Sequence, residues 1–82
     1  MHIHVKLFAL LREIAGTDSV TLDVPEASNA GQALDKLIQQ HPALQPYLDK
    51  VRLALKMDFV DMTASLEEGD ELHLIPPVSG GV

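Results

Sequence analysis

Apolar Ile3, Val5 and Leu7 alternate with His2, His4 and Lys6, the two-residue period of a strand with one buried face. From Ala9 to Ala15 the spacing changes: Leu10, Leu11 and Ile14 mark a short helix, and Gly16 stands where a helix ends in a left-handed residue. Val20, Leu22 and Val24 alternate again, so a second strand is expected, ended by Pro25. Ala30, Ala33, Leu34, Leu37 and Ile38 then recur at helical spacing through Gln40. Asn29 is its expected N-cap, and Gln32 three residues on completes a capping box. His41-Pro42 stops this helix, because the residue before a proline is pushed out of the helical region. Leu44, Tyr47 and Leu48 form a compact turn or a single helical turn.

Val51, Leu53, Leu55 and Met57 restore strand alternation, and the pattern turns all four toward the core. Phe59 and Val60 suit a brief edge strand, and Leu66 is expected to plug the core. In Glu67-Glu68-Gly69-Asp70 the glycine supplies the positive φ of a turn. Leu72 and Leu74 belong to the last strand. Strands outnumber helices, and the main helix has one apolar face. The expected fold is α+β, a single mixed, twisted sheet wrapped around that helix.

Length and composition narrow the reading. A chain of 82 residues is one small domain, with residues 1–77 as its folded part and 78–82 as a flexible tail. A domain of this size buries about 60–65% of its unfolded surface and has no room for a deep cleft. Hydrophobic residues make up 46% and charged ones 22%, too apolar for a disordered chain. There is no cysteine, which excludes a disulfide framework, a thiolate metal site and thiol nucleophiles. Twelve acidic against six basic residues give a net charge of −6, which argues against nucleic acid or an anionic membrane and for a basic protein surface. No apolar run approaches the ~18 residues that span a bilayer, and no leader pattern is visible, so a cytoplasmic protein is expected.

His2 and His4 lie two apart on a strand, so their imidazoles share a side, but no third ligand stands near them and no metal is expected. Glu67, Glu68, Asp70 and Glu71 lack the ligand spacing of a calcium loop and read as a solvated turn.

The chemistry concentrates at the other end, in Pro76-Pro77-Val78-Ser79-Gly80-Gly81-Val82. Glycines near a terminus are often only a frayed end. A diglycine can equally thread a channel too narrow for other residues and present a carboxylate inside a partner. The strand-like run Glu71–Ile75 leading into two prolines favours the second reading, since prolines end a strand and hold the next residues extended.

Two stretches together, Phe8-Ala9-Leu10-Leu11-Arg12-Glu13-Ile14-Ala15-Gly16 and Leu66-Glu67-Glu68-Gly69-Asp70-Glu71 running to Ile75-Pro76-Pro77-Val78-Ser79-Gly80-Gly81, resemble the MoaD/ThiS family of ubiquitin-like proteins. Within it the chain looks like the small, sulfur-carrier subunits of molybdopterin synthase. The resemblance implies a β-grasp fold. It also implies that Gly81 carries the reactive acyl group and that Gly80 lets a channel close around the backbone. A separate E1-like enzyme would use ATP to adenylate the glycine carboxylate. A sulfur donor protein would then displace AMP, leaving a thiocarboxylate for transfer to a pterin precursor held by the large subunit. The chain binds no cofactor on this reading and is a co-substrate, not a catalyst. Pro76, Pro77, Val78 and Ser79 would meet the partner and set the direction of the arm.

Phe8 is either part of an apolar docking face or packing for the core, and Arg12 and Glu13 are partner contacts or a solvated helix face. Val82 departs from the family pattern: it moves the carboxylate by roughly 3.5 Å and puts a β-branched side chain in a channel shaped for none. Trimming of Val82 in the cell is the favoured explanation, ahead of a remnant, tolerance by the partner and loss of sulfur carriage. Lys56 is a second departure, where the family often has asparagine. The rival readings are a thiamine-pathway carrier, a ubiquitin-like modifier that ends in isopeptide bonds, and a plain interaction module.

Overall fold

The computed structural model describes residues 1–77. In chain order these form β1 (His2–Leu7), α1 (Ala9–Ala15), β2 (Ser19–Asp23), α2 (Ala30–Gln40), a 3₁₀ segment (Pro42–Tyr47), β3 (Arg52–Leu55), β4 (Asp58–Val60) and β5 (Glu71–Ile75). The sheet runs β2-β1-β5-β3-β4, with β1 and β5 parallel and the other neighbours antiparallel. This is the expected β-grasp.

Alternation sets the faces. Ile3, Val5 and Leu7 of β1, Leu53 and Leu55 of β3, and Leu72 and Leu74 of β5 turn inward, where α2 covers them with Ala30, Ala33, Leu34 and Leu37. Each fully buried Leu or Ile of this set contributes about 1.5–3 kcal/mol relative to exposure. The capping box at α2 is complete: Asn29 Oδ1 accepts from the Gln32 amide at 2.9 Å, and Gln32 Oε1 accepts from the Asn29 amide at 2.8 Å. The start of α2 is stitched to the segment before β5. The Ala30 and Gly31 amides donate to the Ala64 and Met62 carbonyls at 2.9 Å, and the Leu66 amide donates to the Ser28 carbonyl at 3.0 Å. These bonds hold Leu66 in the core, as its place in the sequence predicts.

Gly16 ends α1 at φ 76°, its amide donating to the Arg12 carbonyl at 2.9 Å, and Gly69 turns at φ 80°. Both are positions where a side chain would be strained.

The third strand needs correction. Of the four residues expected to face the core, Leu53 and Leu55 do, Val51 precedes β3 and is half-buried, and Met57 is 100% exposed. Leu55 pairs with Asp58, so Lys56 and Met57 are the two central residues of a hairpin turn, at φ 52° and 70°. Such turns fit the strand twist only with positive φ at both positions, which is why Asn-Gly is their usual sequence.

Two stability measurements test these assignments. Asn29→Ala removes the cap and should cost about 1 kcal/mol in chemical denaturation; an unchanged midpoint would mean that the helix start is held by the Met62–Ala64 bonds alone. Met57→Gly relieves left-handed strain without removing a buried side chain and should raise stability by about 0.5–1 kcal/mol, whereas a loss would show that Met57 is not strained.

Candidate functional site

β5 is the central strand, paired with β1 on one side and β3 on the other, and Pro76-Pro77 follow it directly. The chain therefore leaves the domain from the middle of the sheet. Pro76 is half-buried and Pro77 exposed. Beside them α1 and the 3₁₀ segment enclose a groove of about 450 Å³, lined by Leu10, Leu11, Tyr47, Lys50, Pro76 and Pro77 among others. Leu11 forms its buried wall, while Leu10, 49% exposed, and Tyr47 stand at its rim. Val78, Ser79, Gly80, Gly81 and Val82, expected as the arm, lie outside the described residues.

The sheet face turned away from α2 forms the second part of the site. Strand register puts Lys6, His73, Ala54 and Phe59 in one row across β1, β5, β3 and β4. Phe8, the residue between β1 and α1, is 40% exposed and lays its ring against His73, with centroids 5.4 Å apart at 56°. Phe8 therefore lies outside the buried core. At the far end of the row the Arg52 guanidinium sits 4.3 Å from the centre of the Phe59 ring. Ala54, the small residue between, leaves a hollow of about 210 Å³ bounded by Lys56, Met57 and His73.

The charged groups on this face are tied to one another. His73 Nε2 lies 2.7 Å from Glu71 Oε1, and this hydrogen bond holds the Glu71 carboxyl below the usual carboxylate range. Lys56 donates to Glu67 Oε1 at 3.2 Å and lies 3.8 Å from Asp70 Oδ1. That hydrogen bond and the neighbouring charges push the Lys56 ammonium above its ordinary value. Asp70 is not a solvated member of its turn: its side chain is 9% exposed and its Oδ2 accepts from the Glu67 amide at 2.8 Å. The run of acidic residues hides this role. A carboxylate three residues after an amide that needs a partner is the signal that could have found it.

His2 Nδ1 lies 3.7 Å from Glu68, and His4 Nδ1 lies 3.2 Å from Thr21 Oγ1. Among the described residues no group of three or more His, Cys, Asp or Glu could hold a metal ion, and no helix is long and apolar enough to cross a membrane. The sequence pattern reads Leu10 and Tyr47 only as parts of their own elements. Their meeting beside Pro76 and Pro77 is a product of the fold. What the described residues offer is an apolar, partly charged surface around the point where the tail departs.

The ThiS family matches residues 5–81. The molybdopterin synthase sulfur carrier subunit of Arabidopsis thaliana is 38% identical over 81 residues, covering 99% of this chain and 84% of its own. Small archaeal modifier protein 1 of Haloferax volcanii is 38% identical over 84 residues, covering 93% of this chain and 97% of its own. A crystal structure of SAMP1 from Haloferax volcanii superposes with a TM-score of 0.93 at 36% identity, covering 99% of this chain and 100% of that one. With a match over almost its whole length and the same β-grasp framework, the chain belongs to the ThiS family of ubiquitin-like proteins.

Proposed function

We propose that this chain is the sulfur-carrier subunit of a molybdopterin synthase. The observation that carries the reading is the joint one of a diglycine separated by four residues from the end of the central strand and near full-length similarity to subunits of that name. A carboxylate at Gly81 is a poor electrophile, because resonance and negative charge both repel a nucleophile. An adenylating enzyme converts it with ATP to an acyl-adenylate and pyrophosphate. A sulfur donor then displaces AMP, leaving the carbonyl carbon bonded to sulfur as a thiocarboxylate. Inside the large subunit that sulfur attacks the pterin precursor, and water then cleaves the resulting thioester, so that the sulfur stays on the precursor and Gly81 leaves as a carboxylate.

The family match ends at Gly81, and Val82 lies beyond it. Activation on this reading follows removal of Val82. Phe8 and the row through His73 and Ala54 form the apolar face that meets the large subunit, and Pro76, Pro77, Val78 and Ser79 line its channel entrance. The similarity to small archaeal modifier protein 1 supports a second reading, in which the same activated glycine is passed to a lysine of another protein as an isopeptide.

Intact-mass measurement of two forms, residues 1–82 and residues 1–81, after incubation with ATP, the adenylating enzyme and a sulfur source decides between these. The shorter form should exchange one oxygen for sulfur and the longer should not. No exchange in either form refutes sulfur carriage, and covalent conjugates to other proteins in its cells would favour the modifier. Phe8→Ser should weaken binding to the large subunit about tenfold, as loss of a buried aromatic anchor does, and leave stability within about 0.5 kcal/mol. Unchanged affinity in a binding titration would remove Phe8 from the interface.

A further inference from the structure

A second groove opens between α2, the 3₁₀ segment and the β4 edge. Two adjoining hollows of about 320 and 470 Å³ share Leu48, Asp49 and Met62. They have no lining residue in common with the groove at the tail or with the hollow at Ala54. Leu34, Ile38, Leu48 and Val60 supply an apolar floor. Met62 stands over it, 44% exposed.

Met62 is presented from a fixed base, since its carbonyl accepts from the Gly31 amide at 2.9 Å and Gly31 leaves only 3.3 Å for an added Cβ. A flexible thioether on a rigid backbone can adapt to an entering side chain without the cost of ordering a loop. Three carboxylates line the same groove: Asp35 from α2, Asp49 after the 3₁₀ segment and Asp61 after β4. Thr63 holds the Asp61 carboxylate by its hydroxyl and by its amide, the latter at 2.8 Å, and these bonds lower its pKa. Among the described lining residues Arg52 is the one cation, and its guanidinium is engaged over Phe59. The carboxylates of the Glu67–Glu71 turn differ in having neighbours of their own: Glu67 and Asp70 lie beside Lys56, Glu68 beside His2 and Glu71 beside His73.

We propose that this groove docks a basic segment of a partner protein, with one apolar side chain entering beside Met62 and flanking lysines or arginines meeting Asp35, Asp49 and Asp61. Charge complementarity fixes the sign of the occupant, and the apolar floor distinguishes it from a purely electrostatic contact. The groove shares no lining residue with the one at the tail base and meets the sheet-face row only at Phe59 and Arg52.

The test is an amide NMR titration of the 82-residue protein with a capped hexapeptide of alternating lysine and leucine, and with a control in which glutamine replaces leucine. Saturable shifts centred on Asp35, Asp49, Met62 and Thr63 are expected with the first peptide only. Asp35→Asn with Asp49→Asn should weaken binding about fivefold, and more at low salt than at high. Met62→Ala should weaken it at both. Phe8→Ser should leave it unchanged. Shifts centred on residues 67–71, equal binding of the leucine-free control, or no shifts at all would overturn the proposal.

Discussion

The parallel pairing of β1 with β5 is the constraint on which the rest of the molecule depends. Val5 faces Leu72 and Leu7 faces Leu74, while Leu53 and Leu55 of β3 meet the same two leucines from the other side. This pairing joins the first strand to the last, so α1, β2, α2, β3 and β4 all lie within the loop that it closes. Closing a loop of that length costs only slightly more entropy than closing one half as long. The gain is a central strand with both edges satisfied and two leucines fully buried. A slip of one residue would turn Leu72 and Leu74 outward and His73 into the core, so the buried face fixes the register strongly.

That register also decides what the outer face looks like. With Leu72 and Leu74 inward, Glu71 and His73 must point outward, and His73 comes between Lys6 and Ala54. The aromatic ring of Phe8 can then reach His73 because Phe8 follows β1 directly and its extended backbone, φ −122° and ψ 154°, continues the strand's alternation by one residue. The docking face proposed for the large subunit and the departure point of the tail are thus consequences of one pairing. Weakening either leucine would disturb both.

Much of this is legible in the residues, and the failures have particular causes. The alternation of β1, β2 and β5 and the Asn29/Gln32 pair are local signals, and the structure follows them. Met57 misleads because it falls two residues after Leu55, where continued alternation would put the next core residue, whereas the two-residue turn shifts that face to Asp58 and Val60, which pair with Leu55 and Leu53. Glycine or asparagine would announce the turn, and Lys56-Met57 does neither. Phe8 is ambiguous in sequence because alternation gives the face of a strand residue but not whether another layer covers that face. The groove beside Pro76 and Pro77 is hidden for a different reason: Leu10 and Tyr47 are far apart in sequence and meet only because α1 packs on the 3₁₀ segment. Neither residue breaks its own local pattern.

The length of the arm ties these surfaces together. Four residues, Val78 to Gly81, separate Pro77 from the carbonyl that would react, and fully extended they span at most about 14 Å. A partner that reads that carbonyl must therefore bring its reaction centre within that distance of Pro77, which leaves no room for it to touch the tail alone. Its surface has to rest on what surrounds the prolines, namely Leu10 and Tyr47 on one side and the sheet face with Phe8 and His73 on the other. On the proposed reading a short arm makes recognition of the domain and delivery of the carbonyl one event. On the same reading the roughly 3.5 Å by which Val82 would move the carboxylate is large on that scale, because a partner seated on the domain has no freedom to move back.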